Sequence, residues 1–175
     1  MTKFHRYVIG RDSVGKSIIV DTQISNAQHR DGYYWRSTLW MTQSYPPSND
    51  ALDISAEVAA REPGPSGVIF RALEIAPDDP DPIRHRSVMA VTHNAFKQSH
   101  TPSEADLERH PGMHRTGTID FVTCVSGSVF LMTDTDEVLM TPGDTAIIRG
   151  GNHAWSNRTD TPCMLTVVLV NAADD

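Results

Sequence analysis

The sequence predicts an all-β protein, a sandwich or barrel of short strands. Three observations carry this. Its apolar runs are short and rich in Val, Ile, Thr and aromatic residues, clusters of turn formers separate them, and neither a βαβ alternation nor an internal repeat is present. In chain order the runs are "RYVI", "SIIV", "YYWRSTLWM", "GVIFRALEIA", "DFVTCV", "SVFLMT", "EVLM", "TAIIR" and "MLTVVLV". Between them stand "SVG", "PPSND", "EPGPSG", "APDDPDP", "TPGD" and "NRTDTP".

The first two runs flank "GRDSVGKS", residues 10–17, which matches the phosphate-cradling pattern G-x-x-x-x-G-K-[ST] letter for letter. A phosphate loop needs a helix after it, so that N-terminal N–H groups face the phosphate. Here "SIIVDTQIS" follows, a β-branched run suited to a strand. The segment therefore reads as a hairpin connection with Gly15 at a positive-φ position, and no nucleotide is expected at Gly10–Ser17. The third run carries Tyr33, Tyr34, Trp35 and Trp40, expected to pack an N-terminal β-segment (4–45) onto the rest of the fold or onto a partner.

Between the fourth and fifth runs the pattern breaks into a polar excursion, 83–112. "SVMAVTHNAFKQSH" is ambiguous, a helical turn or two. "TPSEADLERH" reads as a short helix with Thr101 at the N-cap, Pro102 at N1 and Glu104 at N3. A lid over a binding site and a surface insert are equal readings of this excursion. His85, His93, His100 and His110 lie in it without ligand spacing and are expected at the surface, with His110 within reach of a site if the excursion is a lid.

Bulk properties set limits. A chain of 175 residues fits one domain, 1–175, large enough for a real core. No apolar run approaches the ~18 residues needed to span a bilayer, and the N-terminus lacks a secretory pattern, so a cytoplasmic protein without membrane contact is expected. A net charge of −7 without a basic cluster argues against nucleic acid. Cys124 and Cys163 sit in apolar runs and read as buried thiols.

The chemistry concentrates in 112–157, "GMHRTGTIDFVTCVSGSVFLMTDTDEVLMTPGDTAIIRGGNHAWSN". This stretch resembles the cupin family, double-stranded β-helix barrels of jelly-roll type with two signature motifs. The first, H-x-H-x(3,4)-E-x(6)-G, is matched at His114 and Gly127, with Thr116 in place of the second histidine and Asp120 in place of the glutamate. The second, G-x(5)-P-x-G-x(2)-H-x(3)-N, is matched at Gly143, Gly150, His153 and Asn157, with Ile148 in place of proline and a spacer one residue short. The resemblance implies a cupin barrel over 67–171 that the N-terminal segment augments, and a homodimer. It also implies one divalent metal (Fe, Mn, Zn or Ni) on His114, Asp120 and His153, and a small organic ligand in the barrel.

The residues themselves leave alternatives open. Two histidines and a carboxylate suit iron(II), whereas a threonine hydroxyl is a poor ligand beside imidazole. On a straight strand His114 and Asp120 would lie about 20 Å apart; they converge only if the chain bends between them, which Gly117 permits and the resemblance implies. Asp is also shorter than Glu by about 1.3–1.5 Å. The same three residues read equally well as a metal-free acid–base set, or as a buried polar network. Thr116 and Trp155 are candidate pocket residues, Trp155 by alternation from His153. Arg115 and Arg149 are expected to point outward, and Glu137 and Asp144 to be solvated near turns. The function expected is an enzyme of oxygenase, isomerase or lyase type on a small organic molecule, metal-dependent or metal-free, or else a non-catalytic binding module.

Overall fold

The computed structural model describes residues 5–22, 27–31, 34–44, 46–56, 60–94 and 100–172. The expectation for Tyr33 lies outside them. Eleven strands and two helices occur among the described residues. The hairpin β1 (Val8–Arg11) and β2 (Ser17–Asp21) stands as its own two-stranded sheet, joined by a turn in which Gly15 has φ +84°. Gly10–Ser17 thus span a β-turn–β unit, and the residues after Lys16 form strand β2.

A six-stranded antiparallel sheet has the order β3-β4-β5-β11-β6-β9. It comprises β3 (Ala27–Asp31), β4 (Tyr34–Thr42), β5 (Val68–Ile75), β6 (Thr118–Ser126), β9 (Thr145–Arg149) and β11 (Cys163–Asn171). A second sheet, order β10-β7-β8, contains β7 (Val129–Met132), β8 (Glu137–Met140) and β10 (Ala154–Ser156). The main core joins the two sheets: Ile69, Val122 and Leu165 come from the larger, Val129, Met140 and Trp155 from the smaller. Strand alternation sends every second residue inward, as the buried–exposed pattern of β6 shows.

Signature residues hold the corners. Gly127 has φ +72°, and a Cβ there would lie 2.7 Å from the Pro162 carbonyl oxygen and 3.0 Å from the Cys163 Cα. Only glycine fits both the backbone conformation and that contact. Asn157 is wholly buried; its Nδ2 donates to the Ile75 and Thr161 carbonyls (both 2.9 Å), and its Oδ1 accepts from the Thr159 N–H and hydroxyl. Cys124 and Cys163 are free and buried, with Sγ atoms 3.9 Å apart.

The excursion holds two helices. The first, α1 (Pro82–Asn94), is longer than a turn or two and starts earlier, because Asp81 caps it. The Asp81 Oδ1 accepts from the Ile83 and Arg84 N–H groups, and Pro82 occupies N1. In α2 (Glu104–Arg109) the N-cap is Ser103 rather than Thr101. The capping box closes through Asp106, which accepts from the Ser103 N–H and returns its own N–H to the Ser103 hydroxyl.

Candidate functional site

The cavity between the sheets gathers the predicted residues. His114, Thr116, Asp120, His153 and Trp155 all line a cavity of about 70 Å³. The chain bends at Gly117, whose N–H donates to Glu62, and this folds the His114 segment back from β6. His114 and His153 then exchange backbone hydrogen bonds, N–H to carbonyl at 2.9 Å in both directions, so their side chains emerge side by side. The imidazole centroids lie 4.3 Å apart, and Trp155 meets His153 edge-on at 5.9 Å.

Both rings are fixed in the same way. The Nδ1 of His114 lies 2.8 Å from the Gly112 carbonyl and that of His153 lies 2.9 Å from the Gly151 carbonyl. A carbonyl only accepts, so each Nδ1 carries the hydrogen and each Nε2 keeps a bare lone pair. Burial, and then the charge of Arg61, pushes His114 well below the usual imidazole range; burial chiefly brings His153 down to about 4. Both are neutral at pH 7.

Asp120 faces the cavity from β6. The Thr116 hydroxyl donates to its Oδ2 at 3.4 Å and the Thr118 hydroxyl donates to its Oδ1. Burial pushes its carboxyl above the ordinary range despite these bonds. Three arginines, unremarked in the sequence, share the wall: Arg36 from β4, Arg71 from β5 and Arg61 from the preceding loop. The strand register explains Arg71, which pairs across to Val167 and through it to Val122, one inward-facing row. The outward arginines Arg115 and Arg149 are exposed, as alternation requires.

The excursion reaches the site too. Thr92 of α1 lines the cavity. His85 and His110, expected at the surface, are buried, because α1 and the turn after α2 pack against the barrel. Together with Asp78 they bring three potential ligand atoms within 4.8 Å of one another. Among the described residues this is the one such group; His114, Asp120 and His153 do not converge that closely.

By residue type Asp78, His85 and His110 could hold a divalent cation. Its hydrogen bonding favours another state. The Gly112 N–H donates to the His110 Nδ1 at 3.0 Å, so the hydrogen of that ring sits on Nε2, which faces Asp78 Oδ2 at 3.8 Å. A cation there would require His110 to surrender that tautomer. Asp78 meanwhile accepts from the Ser156 hydroxyl at 2.5 Å and the Asn157 N–H at 3.2 Å. As arranged, the group is a clasp between the start of the excursion and β10.

Two facing antiparallel sheets enclose this cavity, with the two histidines bridged in its lining, and together they form a β-barrel. Residues 101–169 match the family model described as Cupin domain. A 50-residue stretch is 42% identical to "Phomopsin biosynthesis cluster protein C'" of Diaporthe leptostromiformis, covering 28% of this chain and 26% of that protein. A 60-residue stretch is 40% identical to "Oryzines biosynthesis cluster protein J" of Aspergillus oryzae, covering 31% and 34%. The chain thus spans about a quarter to a third of the curated relatives it matches.

Among solved structures, a Cupin 2 conserved barrel domain protein from Salinispora arenicola aligns at TM-score 0.44 and 13% identity, over 83% of this chain and 82% of that one. Ectoine synthase from P. lautus aligns at TM-score 0.46 and 10% identity, over 88% and 73%. No helix among the described residues is long and apolar enough to cross a membrane.

Proposed function

We propose that the barrel cavity binds a small organic molecule and that His114 and His153 are its working groups, in an enzyme. The observation that carries this reading is the pair of pinned imidazoles. Each ring is tied at Nδ1 to a backbone carbonyl, and each offers a neutral Nε2 lone pair to the cavity. Metal-ligating histidines are oriented in this way, by a hydrogen bond on the other nitrogen. The two nitrogens would hold one divalent cation, which when bound supplies a Lewis acid for a substrate oxygen.

A metal-free reading is favoured by a different observation. Asp120 stays with its threonine hydroxyls rather than joining the imidazoles, and three guanidiniums line the wall. In that reading the Nε2 atoms accept a hydrogen bond or a proton from a substrate O–H or N–H. Asp120, which holds its proton to higher pH than an ordinary carboxyl, orients or protonates the other end.

Elemental analysis of protein purified without chelators or nickel separates the two. Near-stoichiometric metal that disappears in His114→Ala and persists in His85→Ala supports the metal reading. Metal that follows His85 instead assigns it to the clasp. No metal after anaerobic reconstitution leaves acid–base chemistry, for which His153→Ala must abolish turnover. A product-free protein whose His153→Ala variant merely loses ligand affinity would be a binding module instead.

The partner this reading assigns to the outer face of the large sheet is a second copy of the chain. It is supported by one cross-strand row, Trp40–Phe70–Val168–Phe121–Ile147, in which Phe70, Phe121 and Ile147 are exposed. A monomeric mass by light scattering at micromolar concentration would remove it.

A further inference from the structure

We infer that the molecule taken into the barrel is a carboxylate, held by Arg36, Arg61 and Arg71. The inference rests on the proposed reading that the cavity is the binding site, and is independent of whether a metal is present. Three guanidiniums and the Asp120 carboxyl are among the described residues that line this wall. The two imidazoles, tied at Nδ1 and open at Nε2, add acceptors and no charge. Arg36 and Arg71 are buried, 7% and 3% exposed. A guanidinium cannot escape burial by losing its proton, so its charge persists in the cavity.

Each arginine enters from a different element, and the protein fixes two of them on one acceptor. The Ala60 carbonyl accepts from Arg36 Nη1 at 3.4 Å and from Arg71 Nη2 at 3.1 Å. That carbonyl sets the two planar forks relative to each other and to Arg61, the next residue in the chain. Five N–H donors per guanidinium allow a group held by the protein on one edge to bind a ligand on another. Paired guanidiniums in a low-dielectric wall recognise a planar oxyanion bidentately.

Size and polarity choose among oxyanions. A dry cavity of ~150 Å³ accommodates benzene, six heavy atoms. By proportion the 70 Å³ here takes in about three, the size of one carboxylate group, with the rest of a ligand left to extend through the open side. A phosphate group has five heavy atoms. The remaining wall is hydrocarbon, from Leu73, Val122, Val167 and Leu169, which suits the carbon chain that bears the carboxylate. With the carboxylate on the arginines, the adjoining carbon or its oxygen substituent faces the imidazole pair.

The test is a chemical-shift titration of the His114 and His153 imidazoles in chelator-treated protein, with acetate, acetamide and inorganic phosphate as probes. Acetate should saturate both signals, acetamide should bind at least tenfold more weakly, and phosphate should leave them unmoved. Arg61→Gln, at the least buried of the three arginines, should weaken acetate at least fivefold. Arg71→Lys keeps the charge without the fork and should weaken it as well, while circular dichroism reports an intact fold. Equal binding of acetate and acetamide, tighter binding of phosphate, or an Arg61→Gln variant with unchanged acetate affinity would each overturn the inference. Acetate saturation in a protein that takes up no metal and shows no turnover leaves the carboxylate site standing and removes the enzyme reading. If no probe shifts either imidazole, the cavity is not the binding site and both readings fall.

Discussion

Replacing Asp78 by Ala should unclasp the excursion from the barrel, and the cost follows from its bonds. Its side chain is 22% exposed and accepts from the Ser156 hydroxyl and the Asn157 N–H, with His110 and His85 at 3.8 and 4.0 Å. A hydrogen bond to a charged acceptor contributes about 1.5–3 kcal/mol, and two such bonds on one residue are less than additive. The expected loss is about 2–4 kcal/mol, or roughly 5–15 °C in Tm at this chain length. Urea denaturation at pH 7 measures it, with Asp78→Asn separating charge from shape.

The pH dependence carries a sign. Burial works to raise the Asp78 carboxyl, but the neighbouring His110, the Ser156 hydrogen bond and His85 hold it below its ordinary value. A carboxylate depressed in the folded state stabilises above its unfolded pKa, and that stability is lost as pH falls through the folded pKa. The gap between wild type and Asp78→Ala should therefore shrink as pH falls below about 4. A gap under about 0.5 kcal/mol at pH 7, or one that does not shrink below about pH 4, would refute the clasp.

Gly127→Ala should destabilise by about 2 kcal/mol or more in the same assay, since φ +72° and the contact with the Pro162–Cys163 backbone both oppose a Cβ. Tyr34→Phe should leave stability within about 0.5 kcal/mol or raise it, because its buried hydroxyl has no hydrogen-bond partner among the described residues. Cys124 and Cys163 should resist a disulfide reagent until the protein is denatured. Both are buried, and burial pushes the Cys163 thiol up to about 12. Fast labelling of the native protein would contradict that.

The sequence by itself determined most of the strands and the hairpin around Gly15, because period-two alternation and turn chemistry are local properties; its motifs named five residues of the cavity and none of its arginines. The bend at Gly117, without which His114 and Asp120 could not share one wall, was implied by the motif resemblance and not by spacing. The caps were less legible. "TPSEAD" offers two overlapping starts, and Ser103 wins over Thr101 because Asp106 can close the reciprocal bond.

Only the tertiary structure decided what touches what. His85 and His110 look like surface residues in a polar stretch; packing of α1 and the turn after α2 against the barrel buries them beside Asp78. Arg36 and Arg71 are inward because strand register puts them in line with Leu73 and Val167, residues more than ninety positions apart in the case of Arg71 and Val167. Charge composition cannot reveal that, since a net charge of −7 over the whole chain coexists with a cavity lined by three guanidiniums. Local pattern sets which face a side chain takes, and long-range pairing sets what it meets there.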